Sequence, residues 1–137
     1  MAKDIIHDAV KNALLKDNWT VTHAPYIIRV KGVQMYADLG AEKVIAAEKD
    51  GQKIVVEIKS FMGDSAISEF HTAVGQYLNY QQALEEQDPI RQLYLAISDD
   101  VYDSFFTIPF VQEAVVRHKI KLIICNIQQE VIIKWKI

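Results

Sequence analysis

KVIAAEKDGQKIVVEIKS, residues 43–60, is the stretch whose reading decides the architecture. Asp50-Gly51 at its centre is the clearest turn signal in the chain, because both residues accept the positive φ that a tight hairpin demands. The flanking runs are therefore expected to pair as antiparallel strands, one around 43–49 and one around 53–60. In the second strand Val56 and Ile58 alternate with Glu57 and Lys59, so the acid and the base project together from the face opposite the aliphatic pair. Taken alone, that pattern describes a solvated strand face. The rest of the chain gives reasons to read it as a reaction centre.

Outward from the hairpin, residues 3–17 place Ile5, Ile6, Ala9, Val10, Ala13 and Leu14 at helical spacing. WTVTH at 19–23 and YIIRV at 26–30 are short extended candidates, separated by Pro25 and followed by a turn at Lys31-Gly32. After Gly63-Asp64-Ser65 a long helix is expected over about 65–87, with Ile67, Phe70, Val74, Tyr77, Leu78 and Leu84 as its buried stripe. LYLAIS at 93–98 reads as a buried strand. Asp99-Asp100 opens a helical region that breaks near Pro109 and resumes to about His118. LIICNI at 122–127 and VIIKWK at 131–136 close the order as strands. The apolar run FFTIPFV at 105–111 suits core or an oligomer contact, and Trp19 and Trp135 are expected to pack. The layer arrangement that hides these faces is a central mixed β-sheet flanked by helices, an α/β fold in the order α-β-β-β-α-β, then α-β-β.

The chain has 137 residues, half of them hydrophobic and 24% charged, which fits a single domain over 1–137 with a substantial core. It has no apolar run of membrane-spanning length and no basic-then-apolar leader, so no membrane association is expected. The lone Cys125, set among apolar neighbours, excludes an internal disulfide and fits a reducing, cytoplasmic compartment. The net charge of −3 argues against a protein that coats nucleic acid by bulk electrostatics, but the charge is unevenly spread. Residues 60–113 carry one base, Arg91, against nine acids, whereas residues 114–137 carry five bases and one acid. If a metal neutralised Asp38 and Glu57, residues 29–59 would rise from +1 to +3, and a phosphate backbone would then be drawn to that segment or the C-terminal tail and repelled by the middle.

Asp38, in YADLGAE, precedes the hairpin with eighteen residues between it and Glu57. Folding back at Asp50-Gly51 lets the chain near 38–44 run beside 57–61, so Asp38 can approach Glu57 and Lys59. Two converging carboxylates repel unless a cation lies between them, and they suit Mg²⁺ or Mn²⁺, which want hard oxygen ligands. The backbone carbonyl of Ile58 can add a ligand, and Lys59 can orient an attacking water and favour its deprotonated form. These parts suit hydrolysis of a phosphodiester. His23, His71 and His118 show no metal-ligand spacing.

Asp38 followed by Glu57-Ile58-Lys59 resembles the D…ExK core of the restriction-endonuclease-like, or PD-(D/E)XK, nuclease superfamily. Gln76 and Tyr80 in GQYLNY are similar to the Q-x-x-x-Y element of its recombination and repair branch, and the resemblance implies that Gln76 supports the metal or its water. Ala37 stands where the superfamily's name has proline. An acidic ligand from the first helix is common among such nucleases, and Asp4 and Asp8 are both open for that place. His7 lies between them and can interact with phosphate, while Glu69 shares a helix flank with Gln76. More broadly, DIIHDAVKNALLKDNWTVTH, DLGAEKVIAAEK, VVEIKSF and GQYLNYQQAL resemble the XisH family of cyanobacterial fdxN-element excision controlling factors over essentially the full chain. That resemblance implies a role in excision of a DNA element by a site-specific recombinase, with an XisI-like companion protein.

Two functions follow as expectations. One is a Mg²⁺-dependent DNA endonuclease acting in DNA rearrangement and recombination, for which a homodimer would suit two strands. The other is a non-catalytic accessory module with a nuclease fold that binds DNA, the recombinase or the XisI-like partner.

Overall fold

The structure is a computed structural model that describes residues 2–35 and 44–137. Among the described residues, six strands form one mixed sheet in the spatial order β1-β4-β5-β6-β7-β8. They are β1 (Thr20–His23), β4 (Val44–Lys49), β5 (Gln52–Ile58), β6 (Gln92–Ser98), β7 (Leu122–Asn126) and β8 (Val131–Lys136). A separate antiparallel pair, β2 (Ile28–Val30) and β3 (Val33–Met35), is inserted between β1 and β4. With that hairpin set aside, the main sheet follows the expected order, three strands before the long helix and three after it.

The Asp50-Gly51 turn forms as expected, with φ of 50° and 82° at its two residues. It fixes the register Val44↔Glu57 through Lys49↔Gln52. On its other side β5 runs parallel to β6, and β6 parallel to β7, while β8 returns antiparallel. β5 is thus the junction where the sheet changes from antiparallel to parallel. Crossovers between parallel strands need long connections, and here helices supply them.

Helix α1 (Ala2–Lys16) covers one face of the sheet with Ile6, Val10, Ala13 and Leu14 against Ile54, Val56 and Ile58. Helix α2 (Ala66–Gln87) covers the other, placing Phe70, Tyr77, Tyr80 and Leu84 against Val55, Leu93 and Leu95. Ser65 caps α2 by accepting from the Ser68 amide, which satisfies one of the free donors of the first turn. After β6, the short helix α3 (Asp99–Val101) is capped by Ser98 and runs into a π-helical turn, Tyr102–Phe106. The wider turn directs Phe105 and Phe106 together against Phe70 and Phe61, with ring centroids 5.4–6.0 Å apart. Pro109 then opens α4 (Pro109–Arg117), where its missing N–H costs nothing.

Three expectations are corrected. The buried stripe of α2 excludes Ile67 and Leu78, which are exposed, and takes Ala73, Tyr80 and Ala83 instead. The stripe is rotated because small Ala73 and Ala83 let the helix lie close to the sheet. Ile5 faces solvent from α1. FFTIPFV divides, with Phe105, Phe106 and Val111 buried and Ile108 and Phe110 exposed, because the helix start at Pro109 turns the last two outward. Among the described residues, no helix is long and apolar enough to cross a membrane.

Candidate functional site

Glu57 and Lys59 lie on the α2 face of β5, the acid one residue inside the strand's C-terminal end and the base just beyond it. Their Cα atoms are therefore about 7 Å apart, the repeat of one strand face. Both faces of the sheet are covered, so the pair is not solvated: Glu57 is 1% exposed and Lys59 8%. The reading of a solvated strand face is overturned for that reason. An aliphatic side chain at 57 would pack between Val44 and Leu95, its ladder neighbours, without desolvating a charge. A carboxylate in that place costs several kcal/mol that its surroundings must offset.

The main-chain amide of Lys59 donates to the Ala96 carbonyl at 3.1 Å, which extends the β5–β6 pairing past Ile58. Ser60 is buried, and Phe61 adopts a φ of 54° that turns the chain away into the aromatic cluster. Glu69 then accepts from the Gly63 amide, tying the connecting loop to the first turns of α2. The candidate centre is thus held on a strand end, with both chain directions anchored.

Of the other sequence-derived candidates, Gln76 is half-buried on the flank of α2 that also carries Glu69. Tyr80, one turn further along, is buried in the core. His7 is also buried, at 2% exposure, because it lies beside Ile6 and Val10 on the sheet-facing side of α1. Asp8 is exposed. Asp4 falls in the first turn of α1. Asp38 lies outside the described residues. Val44, six residues after it in sequence, stands directly opposite Glu57.

Tyr77 was read from the sequence only as a member of the apolar stripe. Its hydroxyl donates to the Leu93 carbonyl (2.9 Å) and accepts from the Lys121 amide (3.1 Å), joining α2 to the start of β6 and β7. Burial pushes its pKa up to about 12, and the nearby Glu57 carboxylate adds to that rise. A phenol with its polar hydroxyl inside an otherwise apolar stripe was the available signal for this role.

The oxygen donors at this strand end would suit a hard divalent cation. They are a buried carboxylate and a main-chain carbonyl, and neither thiolate nor imidazole stands beside them on β5. Among the described residues alone, no group of three His, Cys, Asp or Glu side chains could hold a metal ion. The C-terminal ends of β5, β6 and β7 also lie together, and the crevice beyond the carboxyl ends of parallel strands is where open α/β sheets bind ligands.

Two solved structures are similar over nearly the whole chain. One is an XisH family protein from Nostoc punctiforme PCC 73102, 45% identical, with a TM-score of 0.91 over 98% of this chain and 100% of that one. The other is an fdxN element excision controlling factor protein from Anabaena variabilis, also 45% identical, with a TM-score of 0.90 over 98% and 99%. No curated protein matches. The family model described as XisH protein matches residues 1–133, and the chain belongs to the XisH family.

Proposed function

We propose that this chain is a factor controlling excision of a DNA element, as the name of its Anabaena variabilis relative states for that protein, and that it acts as a Mg²⁺-dependent DNA endonuclease. The observation that carries the catalytic part is the buried Glu57–Lys59 pair at the end of the strand where the sheet changes direction. In this reading the fold is a restriction-endonuclease-like core. Asp38, Glu57 and the Ile58 carbonyl would hold Mg²⁺ or Mn²⁺, and Gln76 would support the site from α2. A bound ion would neutralise the scissile phosphate and acidify a water. Lys59 would place a positive charge beside that water and favour its hydroxide form. The burial of the pair raises the strength of each such interaction above its value in water.

A second reading rests on a separate observation. Arg91, the one base of residues 60–113, is buried against Asp88 and Glu48, while Asp64, Glu85, Glu86, Asp100, Asp103 and Glu113 are exposed. The surface of this segment is therefore acidic, which repels a duplex and suits a basic protein partner such as a recombinase or an XisI-like companion.

Cleavage of supercoiled plasmid carrying the element's borders separates the two. The endonuclease reading expects nicking that needs Mg²⁺ or Mn²⁺ and disappears in Asp38→Ala and Glu57→Ala with the fold intact. Metal-dependent nicking that survives in both variants would sink it. Absence of nicking by the native chain, alongside capture of a partner through the acidic surface, would establish the accessory module.

A further inference from the structure

At the opposite end of β5 from Glu57, roughly 16 Å along the strand, lies a cavity that the nuclease reading does not use. It has a volume of about 400 Å³ and opens between the β4–β5 turn and β8. Trp19, Tyr94 and Trp135 form its aromatic wall. The Trp19 and Trp135 ring centroids are 5.6 Å apart and tilted by 36°, and Tyr94 meets Trp135 edge-on at 5.0 Å. Asp17 and Asp50 stand at its rim with Lys49.

The chemistry of the lining selects its guest. Asp17 already holds Lys49, which leaves the Asp50 carboxylate to meet a guest; it only accepts hydrogen bonds, so the guest must donate to it, and it repels phosphate. Aromatic faces carry negative potential and attract cations. The chain itself illustrates this preference: the Lys49 ammonium lies 5.9 Å from the Trp19 ring centroid and 3.6 Å from Asp17. Asp17 is held in place by the Trp19 indole N–H, which donates to it at 3.2 Å. Among the described residues no cation lies over Trp135, whose half-buried ring faces the same space.

The rings are too close together to sandwich a guest, so they offer a surface on which a flat group can stack. A guanidinium stacks on indole and forks to a carboxylate, which a compact ammonium cannot do. The volume leaves room for its aliphatic stem. We infer that the cavity bounded by Trp19, Tyr94, Trp135, Asp17 and Asp50 binds a guanidinium group, either on a small molecule or as an arginine side chain of a partner protein.

Both tryptophans of the chain line this cavity, so intrinsic fluorescence reports on it directly. The full chain is titrated with argininamide at constant ionic strength. Citrullinamide, which keeps the α-ammonium and replaces the guanidinium by a neutral urea, is the control. The inference expects a saturable change with argininamide in the millimolar range and binding of citrullinamide roughly tenfold weaker or less. Asp50→Asn should weaken argininamide several-fold while keeping the turn, because Asn tolerates the positive φ at that position. Trp135→Leu should abolish binding, with Trp19 left as the reporter. A capped Gly-Arg-Gly peptide that binds at least as tightly as argininamide identifies a protein-borne arginine, and preference for argininamide identifies a small molecule. Equal responses to argininamide and citrullinamide, unchanged affinity in both variants, or no saturation at all would overturn the inference.

Discussion

Val44 and Glu57 face each other across the antiparallel β4–β5 ladder, which brings the chain leaving the Asp38 region into the sheet at the register of the buried acid. The Asp50-Gly51 turn sets that register, since pairing inward from it makes 44 and 57 partners. A slip of one residue would turn Glu57 and Lys59 to the α1 face and Val56 and Ile58 to the α2 face. The hairpin thus decides which helix the candidate centre faces.

Lys59→Met keeps the length of the side chain and removes its charge. The endonuclease account expects the nicking rate to fall by roughly 10²-fold or more, with metal binding retained, because the lysine acts on the water and not on the ion. Steady-state nicking at saturating Mn²⁺ reads this. Lost metal binding together with lost rate would assign Lys59 to assembly of the site.

Tyr77→Phe removes a hydroxyl that serves the Leu93 carbonyl and the Lys121 amide at once. Both main-chain groups lose their partner inside the fold, and the expected cost is about 1–3 kcal/mol. Urea unfolding followed by circular dichroism should show a lower midpoint with an unchanged slope. An unchanged midpoint would mean that water replaces the phenol.

Stability should fall at alkaline pH. Burial raises the Cys125 thiol from 9.0 to about 12 and the Tyr77 phenol from 10.0 to about 12. Each group ionises in the unfolded chain first, so its contribution is fully present below the unfolded value and is lost as pH rises toward the folded one. The loss begins near pH 9 with Cys125 and steepens above pH 10 with Tyr77, at most about 1.4 kcal/mol per pH unit for each. Thermal melts from pH 7 to 11 should show this, and Cys125→Ala should remove the part that starts at pH 9. A melting temperature in the native chain that stays flat through pH 10.5 would contradict the assignment.

Arg91 holds three elements together. Its guanidinium contacts Asp88 at 2.6 Å, the Ile54 carbonyl at 3.3 Å and Glu48 at 3.6 Å, and lies 5.2 Å from the Tyr26 ring centroid. Arg91→Ala should cost about 2 kcal/mol. That is less than breaking a fully buried pair, because both carboxylates keep access to water. Denaturant midpoints at low and high salt test this, and a loss that vanishes at high salt would show a purely screened surface attraction.

The sheet was legible because its signals are local. Asp50-Gly51 marks the hairpin, and apolar runs too short for helices mark β6 and β7. The orientation of α2 was less so, since a helical wheel shows a stripe wide enough for Ile67 and Leu78 but does not show which side lies closest to the sheet. The alternation of Glu57 with Val56 and Ile58 placed the acid on the right face, yet the same alternation describes an open sheet and a covered one. Its burial became visible only with α2 in place. Nothing in YDSFF announced a π-helical turn, and His7, between Ile6 and Asp8, gave no sign of burial.

The central claim, that Glu57 is a metal ligand, is tested most directly by calorimetric titration of Mn²⁺ and Mg²⁺ into the native chain and its Glu57→Gln variant, with and without phosphorothioate duplex DNA. The account predicts saturable binding by the native chain, completed by DNA where the substrate's phosphate is needed, and its loss in the isosteric variant. Equal binding by both proteins, or none by the native chain even with DNA present, would contradict it.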